Sequence, residues 1–251
     1  MSKTCIFFRT ANFDQYNDEY YKIKSDLKNT DIDVWLCVDK DTQPNIKSGN
    51  KEDKIYYYDI STMPYLSYVV ASGKSKHILN ENQEYTILDF SMHYKYDYYW
   101  YLEQDLKFTG NWKTVIDIHL TIEKDLLSFS LISNKYLNDK IQILEVDKNN
   151  MDCYYNNHNL CGYIPISLSA WLGICRFSKK ALETLHFEYK RGICGFSENI
   201  VPIVLYYKGC SIDVIDKSLN KKTYCKMPGG HADMREIPEN YFVHPAKTFI
   251  K

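Results

Sequence analysis

Short apolar runs alternate along this chain with segments whose apolar residues recur every three or four positions. Lys3 to Phe8 is an apolar run that stops at Arg9-Thr10 and reads as a first strand. Asp18 to Leu27 puts Tyr20, Ile23 and Leu27 on one face of a helix. Asp33 to Val38, closed by Asp39-Lys40-Asp41, is a second apolar strand, and Ile55 to Tyr58 a third. This β-α-β alternation predicts a parallel sheet covered by helices. Glu84 to His93, with Ile87, Leu88 and Met92 apolar, is the next helix. Tyr98 to Leu102 is a run of large β-formers that reads as a buried strand. Trp112 to Leu120 follows as a helix capped by Asn111, and Leu126 to Ile132 as another strand.

From about Asn134 to Gly162 the periodicity is lost among Asn, Asp and Lys, which predicts a loop-rich insertion. Leu168 to Phe177 returns to strand character, and Ser178 stands where a helix over Lys179–Tyr189 needs a cap. Ser197 is placed to cap a second helix through Tyr207, with Pro202 close enough to its start to be tolerated. Gly209 ends that helix, and Cys210 to Ile215 is a final strand. No repeat or linker divides the chain. The expected fold class is α/β, a single domain over 1–251 with a mostly parallel central sheet flanked by helices.

Composition adds mainly exclusions. A chain of 251 residues with 45% hydrophobic and 25% charged content has enough apolar material for one large core. A net charge of -1 supplies no general field for nucleic acid. The 23 tyrosines match the codon bias of an AT-rich genome and are not by themselves a binding surface. The eight cysteines form no C-x-x-C pair; Cys5, Cys37, Cys175 and Cys210 sit in or beside apolar runs, as small buried hydrophobes do. Cys153 and Cys161 are spaced to bridge a loop only in an oxidising compartment, and reduced thiols are expected. No signal peptide and no membrane-spanning run is evident, so the expected location is cytoplasmic.

The chemistry concentrates where the aromatic strand ends in Glu103-Gln104-Asp105. Ligands of open α/β sheets collect at the carboxyl ends of the strands. Two carboxylates there suit Mn²⁺ or Mg²⁺ holding a phosphorylated substrate, although solvated strand ends have the same composition. Arg9, Thr10 and Asp39 end the first two strands, where a nucleoside would rest. Gly229-Gly230-His231 lacks the context of a phosphate loop, and His231 and Arg235 fit a closing loop instead.

Three segments together resemble nucleotide-sugar-dependent glycosyltransferases of the GT-A fold. Asp97 to Asp105, continuing through Trp112, resembles the strand and Asp-x-Asp loop of that family, written here as Glu-x-Asp, as in a small viral and eukaryotic group. Ser169 to Ser178, followed by a helix and Gly195-Phe196-Ser197-Glu198, resembles its acceptor side. Val243-His244-Pro245-Ala246-Lys247 is similar to the carboxyl-terminal His segment that completes metal and diphosphate binding.

The resemblance implies a donor half over 1–110, and an acceptor half over 111–251 whose tail serves the metal and diphosphate. It implies metal ligation by Asp105, Glu103 and His244. Donor contacts would come from Arg9, Thr10, Asp39, Glu103 and the point charge of Lys247. Trp171 would stack on the acceptor, although an aromatic in an apolar strand also fits a core. Glu198 would take the proton from an attacking hydroxyl in an inverting transfer, and it equally fits a first-turn Glu stabilised by the helix dipole. The partners implied are a nucleotide-sugar donor and a glycan or other hydroxyl acceptor, in a hexosyl- or pentosyltransferase. The alternatives are a nucleotidyltransferase, a metal-dependent phosphohydrolase, or a non-catalytic carbohydrate-binding protein.

Overall fold

The computed structural model describes residues 2–10, 13–40, 53–59, 63, 84–133, 168–191, 197–216, 218–219, 222–223 and 237–244. The amino-terminal strands are β1 (Thr4–Thr10), β2 (Asp33–Asp39) and β3 (Lys54–Tyr58), with helix α1 (Phe13–Asp26) between the first two. Helix α2 (Glu84–His93) leads into β4 (Tyr98–Glu103), the short β5 (Lys107–Phe108) and helix α3 (Trp112–His119). Then come β6 (Leu126–Ser133), β7 (Leu168–Ser178), α4 (Lys179–Lys190), α5 (Ser197–Tyr207), β8 (Ile212–Val214), β9 (Lys222–Thr223) and β10 (Phe242–Val243).

Seven strands form one sheet in the order β3-β2-β1-β4-β7-β6-β8. β3, β2, β1 and β4 are mutually parallel, β7 is antiparallel to both β4 and β6, and β8 returns parallel to β6. Both faces are covered. Cys5, Phe7, Trp35, Tyr99 and Tyr101 pack with α2, α4 and α5 on one face. Ile6, Phe8, Leu36, Trp100 and Leu102 pack with α1 and α3 on the other. Continuous apolar runs follow from this, because a strand buried on both sides has no polar face to show.

The expected α/β architecture is therefore present, and several elements match the periodicity closely. α2 has the predicted ends, Asn111 caps α3 by accepting from Lys113 N at 2.8 Å, and Ser178 caps α4 by accepting from Ala181 N at 3.0 Å. Gly209 ends α5 with φ 72°, a left-handed conformation that glycine adopts without steric cost. Cys5, Cys37, Cys175 and Cys210 are free and buried. The insertion over 134–162, Cys153, Cys161, His231, Arg235 and Lys247 lie outside the described residues.

The differences have local causes. α1 begins at Phe13 because that ring is buried edge-on against Tyr20, a tertiary contact that periodicity does not register. β1 and β4 outrun their apolar stretches because backbone pairing continues through Arg9 and Glu103. Ser197 is the first residue of α5 rather than a preceding cap. Its hydroxyl donates to Glu84 Oε2, while the Tyr189 hydroxyl donates to Glu84 Oε1 at 2.7 Å. One carboxyl group, 2% exposed, thus joins the start of α2 to α4 and α5.

Burial pushes the Glu84 carboxyl up to about 7, with the two hydroxyl donors opposing the shift only in part. The folded chain therefore holds its proton more tightly than the unfolded chain. The associated stability is complete below the unfolded value near 4.5 and is lost as pH rises through about 7. Glu84→Gln removes the charge and keeps an acceptor oxygen. Thermal unfolding at pH 5 and pH 8 should show the variant gaining on the wild type by roughly 3 kcal/mol as pH rises. A difference that does not change with pH would contradict this.

Candidate metal and donor site

The last residues of β4 set the site. Tyr99 and Tyr101 face the layer of α2, α4 and α5, and strand alternation carries Glu103 to the same side. The chain then turns, with Leu106 N donating to Glu103 O at 3.1 Å, so that Asp105 projects from the turn. Buried Leu106 pins this turn to the core. β5 pairs antiparallel with β10, Phe242 opposite Phe108 and Val243 opposite Lys107, and the Phe108 and Phe242 rings stack at 4.5 Å. His244 is the next residue after β10, so this pairing delivers its imidazole to the carboxylates.

The approach is reinforced beside it. Thr109 N donates to Tyr241 O at 3.0 Å, and Tyr241 N donates to Thr109 Oγ1 at 2.8 Å. Asn240 has φ 64°, and its side-chain oxygen and the Phe108 ring sit where a Cβ at position 110 would lie, so a larger residue there would have to displace them.

Glu103, Asp105 and His244 offer three ligand atoms within 4.8 Å of one another, all on half-buried residues. His244 Nε2 lies 3.0 Å from Glu103 Oε2 and 3.1 Å from Asp105 Oδ1. Burial disfavours the imidazolium, but the hydrogen bonds it donates to Asp105 and Glu103, with their negative charge, outweigh it and push His244 up to about 9. Two carboxylate oxygens and an imidazole nitrogen around one point suit a small divalent cation, with bonds of about 2.1 Å and room for further oxygen ligands. Such an ion would replace the shared proton on Nε2.

Trp171 forms a wall of this cluster. Its indole lies 4.9 Å from the His244 ring and edge-on to Phe129 at 5.1 Å. The indole reaches this place over Gly173. A Cβ at position 173 would lie 2.3 Å from Trp171 Cζ2 and 2.9 Å from Glu103 Oε2. The longer Glu of this Glu-x-Asp loop therefore occupies space that only glycine leaves open. Sequence reading missed Gly173. The available signal was one glycine inside an apolar strand, which marks close approach of another group.

The other expected residues divide by location. Arg9, Thr10 and Asp39 end β1 and β2 beside Glu103, with Arg9 directly opposite Glu103 in the β1–β4 register. Thr10 Oγ1 donates to Gln104 Oε1 at 3.2 Å, tying β1 to the middle of the Glu-x-Asp turn. Tyr58 pairs with Asp39 across β2 and β3. Glu198 is half-buried in the first turn of α5 and is not part of the three-residue cluster.

No family model and no curated protein matches the sequence. Among solved structures, an active-site mutant of LgtC is 11% identical with TM-score 0.50, covering 96% of this chain and 86% of that one. The galactosyltransferase LgtC in complex with donor and acceptor sugar analogs is 12% identical with TM-score 0.48 over the same shares. The 4-diphosphocytidyl-2C-methyl-D-erythritol synthase of Anaerococcus prevotii is 12% identical with TM-score 0.44, covering 85% of this chain and 88% of that one. At such identity the likeness concerns the fold. The chain has a GT-A-like, Rossmann-like α/β fold.

Gly173→Ala should push apart Glu103 and the indole that backs His244. Calorimetric titration with Mn²⁺ should then show affinity falling roughly 10- to 100-fold while the fold persists by circular dichroism. Unchanged affinity would mean that both side chains move aside freely.

Proposed function

We propose that this protein is a metal-dependent glycosyltransferase that moves a sugar from a nucleoside diphosphate sugar to a hydroxyl acceptor. The observation that carries this is the convergence of Glu103, Asp105 and His244 at the carboxyl edge of the parallel strands, in a GT-A-like fold. Ligands of open α/β sheets bind at that edge. Mn²⁺ or Mg²⁺ held there would neutralise charge on a departing diphosphate.

Within this proposal, residues 1–110 make the donor half and residues 111–251 the acceptor half. Asp105 and His244 would hold the cation, and Glu103 would add a third ligand atom or orient the donor. Arg9, Thr10 and Asp39 serve the nucleoside side, and Lys247 the diphosphate. Trp171 offers an indole face to a sugar ring. Glu198 accepts the proton of the acceptor hydroxyl as its oxygen bonds to the anomeric carbon. The bond from that carbon to the diphosphate oxygen breaks, and its electron pair leaves with the diphosphate. A single displacement with the acceptor oxygen on the face opposite the departing diphosphate inverts the anomeric centre.

A thermal-shift panel of nucleotide sugars, with and without Mn²⁺, tests the proposal. One donor should raise the unfolding temperature only when the metal is present. Asp105→Asn should abolish that rise. Glu198→Gln should keep it while losing roughly 100- to 10,000-fold in transfer rate. Absence of any nucleotide-dependent rise in the wild type would overturn the proposal. Hydrolysis of nucleotides with no transfer to any acceptor would point instead to a phosphohydrolase.

A further inference from the structure

Arg9 is an uncommon kind of charge. Its Nε is sealed from solvent and has no hydrogen-bond partner among the described residues. Nη1 donates to the Tyr101 hydroxyl at 3.4 Å, a long bond to a neutral group. Among the described residues no carboxylate lies within ion-pair distance of it. The buried Tyr58 hydroxyl lies close enough to interact with the guanidinium. Arg9 as a whole is half-buried, and a partly desolvated cation with an unbonded Nε is costly unless a charge elsewhere answers it. Burial works against the guanidinium, yet Tyr101, Tyr58 and the carboxylate of Glu103 hold it protonated.

The nearest functional feature is the cluster itself. Arg9 continues the β1 face of Cys5 and Phe7, and its register partner on β4 is Glu103. Glu103 and Asp105 carry two negative charges, and Arg9 returns one positive charge from the adjacent strand. A divalent cation added to that set leaves the site with a net positive charge, which suits an anion and disfavours the bare metal. In a half-buried site these forces act over several ångströms with less screening than in open water.

Resting on the metal and diphosphate reading of this site, we propose that Arg9, half-buried with its Nε sealed, is a positioning charge beside Glu103. It weakens the hold of the cluster on a bare divalent cation and strengthens the hold of the metal-loaded site on a diphosphate. Its effect is electrostatic and does not require contact with the ligand. The site would therefore fill effectively only when metal and diphosphate are both present.

The two effects have opposite signs, which separates them from a purely structural role. Titrations at fixed pH and salt use Mn²⁺ alone, and then inorganic pyrophosphate at saturating Mn²⁺. Arg9→Gln should bind Mn²⁺ alone roughly tenfold more tightly and pyrophosphate roughly tenfold more weakly than the wild type. Arg9→Lys should restore both affinities toward wild type. Should Arg9→Gln fail to fold, Arg9→Met fills the slot with an unbranched apolar chain and reads the same quantities. Weakening of both ligands together, or no change in either, would overturn the role of Arg9 while leaving the metal site standing. A wild type that binds neither Mn²⁺ nor pyrophosphate would remove the site and the role together.

Discussion

The antiparallel pairing of β5 with β10 is the contact on which the site depends. It is short, two residues on each strand, and its backbone bonds alone would be marginal. Its strength comes from Phe108 stacked on Phe242, with Trp112 packed against the same ring. The indole nitrogen of Trp112 donates to buried Glu19 on α1 at 2.6 Å, and the same carboxylate accepts from Phe108 N at 3.2 Å. The strand that delivers His244 is thus tied, through one aromatic group and one carboxylate, to the helix that packs on the opposite face of the sheet from α2.

The main sheet contributes the other half of the geometry. Parallel pairing of β1 with β4 continues past the apolar core to Arg9 and Glu103, so polar side chains emerge at a fixed height and spacing. The hydroxyl of Thr10 on Gln104 holds the turn that follows. Rigid strands thereby set Glu103, and a braced turn sets Asp105. Pre-organisation of this kind lets a cation bind without the protein first paying to order its ligands.

How much of this was legible in the sequence differs between elements. Continuous apolar runs marked the long strands and the 3.6-residue period the helices, because strands buried on both faces and helices buried on one leave different apolar records. The Glu-x-Asp pair was visible because two carboxylates after a wholly apolar strand break that record abruptly. His244 was readable by resemblance, but its arrival beside Asp105 depends on a two-residue strand too short to carry a pattern of its own. Arg9 looked like an ordinary strand end, since sequence alone does not report that the chain encloses its Nε. Ser197 had the composition of a cap and instead bonds Glu84, whose burial at the head of α2 no local signal announces.

Glu103 and Gly173 also limit how this chain can drift. The carboxylate oxygen of one occupies the volume that any side chain at the other would claim, with the indole of Trp171 closing the remaining side. A change at either position is therefore judged against the state of its partner. A Cβ at 173 meets the Trp171 indole more closely than it meets Glu103, so Asp at 103 would relieve only the lesser contact. Positions 103, 171 and 173 are therefore coupled, and what a substitution at one of them costs depends on which residues stand at the other two.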